Sequence, residues 1–79
     1  MYYVTMTDKF MSGWGMAKNM TNKFIIECET LQQAETIERN AQKRSEMKYI
    51  NICSKKPRYG KNVYESWKTY NELGDLWKN

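Results

Sequence analysis

One amphipathic helix set between two strand patterns is the feature that most constrains the fold. Its apolar residues are spaced three or four apart, as on one face of a helix: Leu31, Ala34, Ile37 and Ala41. Thr30 and Gln33 fit a capping box, because the Thr30 hydroxyl can accept the Gln33 N–H while the Gln33 side chain reaches back. Lys43 and Arg44 suit the negative end of the helix dipole. The sequence predicts a helix over residues 30–44.

Strand patterns precede and follow this helix. Residues 2–7 (YYVTMT) and 48–54 (KYINICS) alternate along the chain, and residues 23–29 (KFIIECE) form a third run of strand-forming residues. Residues 63–70 predict a fourth strand, and residues 71–78 (NELGDLWK) predict a short helical turn. In that turn we expect Leu73, Leu76 and Trp77 to pack inward. Residues 8–22, with two glycines, predict a long connection.

The order of these elements predicts an α+β fold in a single domain over residues 1–79. The unit of residues 23–54 should form a right-handed crossover between parallel strands, with the first strand antiparallel between them. One helix covers one sheet face, so we expect a two-layer β-β-α-β-β sandwich with one main helix on a small mixed sheet. The opposite face is expected to be open and to carry these residues: Tyr3, Thr5, Ile25, Glu27, Tyr49 and Asn51.

The residue types present argue against catalysis and metal binding. The chain has no histidine, which removes the commonest general base and a usual metal ligand. Two cysteines cannot form a four-ligand zinc site alone, and no nucleophile elbow or phosphate loop is present. The carboxylates Asp8, Glu27, Glu29 and Glu65 show no spacing that singles out an acid–base pair. We expect a protein that is not an enzyme and uses no metal or cofactor.

The sequence also predicts a cytoplasmic location and no membrane partner. No apolar run is long enough to span a bilayer, and the first residues lack the pattern of a secretory signal. Cys28 and Cys53 are too few for a disulfide scaffold, so we expect both thiols to be reduced. Their positions in the strand patterns predict that they point to opposite sheet faces. The oligomeric state stays open.

Positive charge is concentrated in one part of the chain. Residues 43–61 hold seven cations against Glu46, a local charge of +6 within a net charge of +4. Such an excess attracts polyanions over about 8 Å at physiological salt. Solvated loop lysines are the ordinary alternative.

The open sheet face and the basic turn of residues 55–61 together predict a nucleic-acid-binding module. Tyr3 and Tyr49 would stack bases beside Asn51, because aromatic rings on an open sheet stack bases from single strands. The turn adds phosphate-binding and stacking residues: Lys55, Lys56, Arg58, Tyr59 and Lys61. The expected partner is a single-stranded nucleic acid. No RNP-type motif is present.

The segment FMSGWGMAKN (residues 10–19) supports an alternative partner, a host protein. Trp and Met are enriched in interface hot spots, and this segment presents four large apolar residues around its glycines: Phe10, Met11, Trp14 and Met16. They would form a protein-binding or inhibitory surface. The same residues could instead fold back and plug one end of the core.

Three segments carry a resemblance that covers most of the chain. YYVTMTDKFMSGWG, KYINIC and KKPRYGK are similar to small uncharacterised proteins of phages and mobile elements of gut anaerobic bacteria. This resemblance brings no known activity or site residues. It implies a short accessory protein that acts on nucleic acid or on a host protein, the two functions already reached.

Overall fold

The computed structural model describes residues 1–9, 13 and 18–79. It contains four strands, β1 (Tyr2–Asp8), β2 (Thr21–Cys28), β3 (Met47–Cys53) and β4 (Val63–Thr69). The main helix, α1 (Leu31–Gln42), follows β2. A 3-10 turn (Tyr70–Glu72) and a short helix, α2 (Asp75–Lys78), follow β4. The predicted α+β fold is confirmed.

The strands form one mixed sheet in the order β3-β1-β2-β4. β1 is antiparallel to both β2 and β3, and β4 is parallel to β2. β2, α1 and β3 therefore form the predicted split βαβ unit, with β1 between its two parallel strands. β4 extends the sheet on the other side of β2.

Helix α1 begins as its sequence predicts. The Gln33 N–H donates to the Thr30 hydroxyl at 3.1 Å, and Gln33 Oε1 accepts from the N–H of Glu29, one residue before the cap, at 2.9 Å. Ala34, Ile37 and Ala41 are fully buried. Leu31, the first apolar residue of the stripe, is not buried with the others: it is 45% exposed.

The sheet face under α1, which we call the helix face, holds the main core. Its fully buried strand residues are Val4, Met6, Ile26 and Cys28. α2 closes one end of this core, where the Trp77 ring meets Phe24 edge-on at 5.5 Å. Asn40 is buried in α1 and donates through Nδ2 to the Trp77 carbonyl at 2.8 Å. This hydrogen bond lets a polar side chain lie at a core position.

The C-terminal segment corrects one prediction. Leu73 is buried and Trp77 packs against the core, as expected, but Leu76 is 81% exposed. α2 is only four residues long, so a single turn cannot direct both Leu76 and Trp77 to the same surface. Leu76 does not pack inward.

The opposite sheet face, which we call the strap face, is not open. β3 ends opposite Tyr3, whereas β4 begins opposite Thr21, at the other end and the other edge of the sheet. Residues 54–62, which we call the strap, must therefore cross the sheet diagonally. Tyr59 on the strap hydrogen-bonds to Thr5, so the crossing runs over the face opposite α1. Ile25 on that face is 0% exposed. The expectation of an open face is wrong for the middle of the sheet, whereas Tyr49 and Asn51 in the edge strand β3 are exposed.

Within the described part of the chain, no helix is long and apolar enough to cross a membrane.

Candidate nucleic-acid interface

The candidate site lies where β3, the start of β2 and the strap meet on the strap face. Its central residue is Tyr49, whose side chain is 68% exposed. The ammonium groups of Lys9 and Lys23 lie 5.6 and 5.7 Å from the centre of the Tyr49 ring. Both distances are within the range of cation–π attraction. The ring is thus exposed to solvent and has two ammonium groups close to it.

A β-bulge in β3 gives Tyr49 this position. Thr5 pairs with Asn51 but Thr7 pairs with Lys48, so β3 holds one more residue than β1 between these pairs. Tyr49 lies in this bulge and has a φ of 55°, in the left-handed region that residues other than glycine rarely adopt. The Asn51 amide donates to the Tyr49 carbonyl at 3.2 Å and supports this conformation. Bulges redirect side chains in this way, often beside functional sites.

Lys23 connects the sheet to the strap. Its Nζ donates to the Thr7 hydroxyl at 2.6 Å and lies 5.8 Å from the centre of the Tyr59 ring. The same ammonium is near Tyr49, so two tyrosines that are ten residues apart in sequence share one cation. Lys23 therefore joins Thr7 on β1 to Tyr59 on the strap.

Burial and neighbouring groups also change the pKa of the Tyr59 hydroxyl. Burial raises the pKa of the Tyr59 hydroxyl above its usual value, and its hydrogen bond to Thr5 opposes that rise. The neighbouring Cys53 and Glu65 raise this pKa further, because they favour the neutral phenol. Tyr59 therefore stays a neutral hydrogen-bonding group at physiological pH and anchors the middle of the strap.

The remaining strap cations reach solvent. Lys55, Arg58 and Lys61 are exposed, as is Lys48 in β3, and none of them has a carboxylate partner among residues 1–9, 13 and 18–79. Lys56 differs, because its Nζ lies 5.4 Å from the centre of the Trp67 ring. The ion pair between Arg44 and Glu46, at 3.4 Å, belongs to the turn before β3. The exposed strap cations are thus open to an external anion.

The structure brings together only part of the predicted site. Tyr49 and Tyr59 both lie near the Lys23 ammonium, whereas Tyr3 is half-buried and packs edge-on against Trp67 at 6.2 Å. Asn51 is committed to the bulge through its amide. Tyr3 therefore does not offer the free base-binding surface that we expected, whereas Asn51 is exposed and keeps its amide oxygen and one N–H.

Sequence reasoning missed Lys9, Lys23 and Trp67 as parts of this surface. Lys23 shares its face with Ile25, so strand alternation was a sufficient signal to place it there. Lys9 and Trp67 gave no such signal. Their positions depend on the bulge in β3 and on β4 pairing with β2.

The alternative protein-binding residues lie outside the described residues. These are Phe10, Met11, Trp14 and Met16. Whether they form a core plug or a partner surface stays a prediction.

The two thiols are free and lie on different faces, as predicted. Cys28 is fully buried on the helix face, and its burial raises its pKa to about 11. Cys53 is half-buried next to Tyr3, whose carbonyl lies 3.6 Å from its Sγ, and burial raises its pKa as well. Raised pKa values keep both sulfurs as unreactive thiols. In the part of the chain described, no cluster of three or more His, Cys, Asp or Glu residues could hold a metal.

Comparisons with known proteins gave no match to a family model, a curated protein or a solved structure.

Proposed function

We propose that the chain is a small non-enzymatic accessory protein that binds single-stranded nucleic acid through Tyr49 and the basic strap. The observation that supports this most strongly is the exposed Tyr49 ring, held at a bulge with two lysine ammonium groups nearby. A base can stack on such a ring, which contributes ~1–3 kcal/mol per base. The adjacent ammonium groups are placed to contact the phosphates on either side.

The strap supplies the electrostatic part of the interaction. Lys55, Arg58 and Lys61 follow one another along a segment that crosses the sheet toward the start of β4. A nucleic acid strand that follows this segment would meet a row of cations that have no carboxylate partner among the described residues. The proposed surface is therefore the strap and Tyr49, not the open sheet expected from sequence.

Salt dependence of binding tests the electrostatic contribution. Fluorescence anisotropy with a labelled short DNA strand should give a log K that falls linearly with log salt concentration, by about 0.7 per phosphate contact. Replacing Lys55, Arg58 and Lys61 with Gln should make this slope shallower by roughly 2, since three contacts are removed. The matched control replaces Arg39, Lys43 and Lys68, which are exposed on other surfaces. It has the same net charge and should keep the slope closer to that of the wild type.

Tyr49 tests the stacking contribution in the same assay. Tyr49→Ala should lower affinity about tenfold with little change in slope, because stacking releases no counterions. Tyr49→Phe keeps the ring and should bind nearly as well as the wild type. Equal slopes for the strap variant and its control, or no binding to any DNA or RNA strand at low salt, would refute the proposal.

A further inference from the structure

A cavity opens at the same end of the sheet as Tyr49, but on the helix face. Its volume is about 260 Å³, and these residues line it: Asp8, Asn22, Phe24, Met47 and Ser66. Drug-sized ligands occupy cavities of ~300–1,000 Å³. This cavity is therefore suited to a smaller group, such as one aromatic heterocycle.

The cavity walls combine apolar and fixed polar groups. Phe24 and Met47 supply the apolar walls, and Trp77 supports the Phe24 ring from its edge. Asn22 is only 8% exposed, and its Oδ1 accepts a hydrogen bond from the Ser66 hydroxyl at 3.1 Å. This hydrogen bond fixes the side-chain amide of Asn22 in the wall. A flat ring with polar edges is the kind of ligand that such walls fit.

Asp8 gives the cavity its chemical preference. It is half-buried at the rim and it already makes at least one interaction within the protein. An ionised carboxylate has about four acceptor sites, so Asp8 keeps capacity for a further donor. Among nucleobases, the exocyclic amino group of cytosine is a donor that Asp and Glu accept. Thymine offers a single ring N–H between two carbonyl oxygens, and these oxygens repel a carboxylate, so thymine fits Asp8 less well than a base with an exocyclic amine.

The neighbouring lysines connect the cavity to the proposed nucleic-acid surface. Three of the lining residues, Asp8, Asn22 and Met47, are each followed in sequence by a lysine. Those lysines are Lys9, Lys23 and Lys48, and the first two have their ammonium groups at the Tyr49 ring. Successive residues of a strand point to opposite faces. The end of the sheet therefore has a cavity on one face and cations with a stacking ring on the other.

We propose that this cavity takes one unstacked nucleobase bearing an exocyclic amino group, with Asp8 accepting from the amine, while the flanking phosphates contact the neighbouring lysines. The proposal rests on the proposed function, because it identifies which bases that surface prefers. It predicts that a strand wraps the end of the sheet, with one base on Tyr49 and a neighbouring base in the cavity.

Homopolymer binding tests the preference. The wild type should bind a short deoxycytidine strand about tenfold more tightly than a deoxythymidine strand of equal length, because cytosine offers an exocyclic amine, whereas the one N–H of thymine lies between two carbonyl oxygens that repel the carboxylate. Asp8→Leu should reduce this ratio to near one without changing the salt slope. Glu35→Leu is the matched control: it removes the same charge from the exposed side of α1 and should keep the ratio.

A nuclear magnetic resonance titration with deoxycytidine monophosphate gives a readout that does not depend on folding of a variant. The Asn22 side-chain amide signals of the wild type should shift on adding this nucleotide, and shift less with thymidine monophosphate. Equal affinity for the two strands, a ratio unaffected by Asp8→Leu, or unmoved Asn22 signals would overturn the cavity proposal. Salt-dependent binding without base preference would leave the proposed function standing. Absence of binding to every strand would refute both the cavity proposal and the proposed function.

Discussion

The two faces of the sheet are covered in different ways. On the helix face, apolar strand residues pack against the apolar stripe of α1, as Met6 and Ile37 illustrate, both fully buried. On the strap face, a segment without regular structure crosses the strands, and the interactions that hold it involve polar groups, cations and rings. Lys23 with Tyr59, and Lys56 with Trp67, are two of them. The same sheet thus has one face stabilised chiefly by burial and one stabilised by a small number of specific contacts.

The difference between apolar packing on one face and cation–ring contacts on the other indicates which face can present functional groups. Apolar packing contributes most of the stability but presents no chemistry to solvent. Cation–π contacts contribute ~0.5–1 kcal/mol each at exposed sites, and they keep both partners near the surface. The strap face can therefore offer cations and the Tyr49 ring to a partner, while most of the helix face, apart from the cavity at its end, maintains the fold.

Truncation of one isoleucine on each face of the sheet should give the largest loss of stability. Ile37→Ala should lower the free energy of unfolding by about 4 kcal/mol, because α1 and the sheet hold a rigid cavity around the missing atoms. Ile25→Ala should cost about 2 kcal/mol, since the strap has no regular structure and can collapse onto the space. Both side chains are fully buried in the native protein. Urea denaturation measures both values, and equal costs would contradict the comparison.

Alkaline pH should lower the free energy of unfolding by a smaller amount, through Cys28 on the helix face. The pKa of Cys28 is raised from 9.0 to about 11 by burial, so the folded protein keeps this proton at pH values where the unfolded chain releases it. Stability decreases with pH wherever the folded state binds more protons. The free energy of unfolding should therefore fall between pH 9 and about 11. In Cys28→Ala this fall should be shallower, and an identical pH profile for the two proteins would exclude Cys28 as its source.

Substitutions of Tyr49, at the bulge on the strap face, should give the smallest difference in the free energy of unfolding. At φ 55 a side chain is strained and glycine is not, so Tyr49→Gly should be more stable than Tyr49→Ala by about 1 kcal/mol. Both variants lose the ring, which makes the difference between them a measure of the backbone alone. Thermal or urea denaturation compares the two. A less stable glycine variant would mean that Tyr49 does not adopt the left-handed conformation.

The helix face follows from local sequence patterns. Helix periodicity, the Thr30 cap and strand alternation predict α1, the strands and the burial of Ile37 and Cys28, because each signal depends on residues close in sequence. The split βαβ order also follows, since few topologies join two parallel strands through one helix. These features required no knowledge of distant contacts.

How the strap face is covered depends on the tertiary structure. Alternation places Ile25 and Tyr49 on that face, but it does not reveal that β4 joins the sheet beside β2, far from the end of β3. That pairing forces the strap across the strands, buries Ile25 and joins Tyr59 to Lys23. The bulge that exposes Tyr49 likewise depends on how β3 pairs with β1. Sequence by itself determined the elements and one core, because those depend on local periodicity; the candidate site depends on pairings between distant segments, which periodicity does not encode.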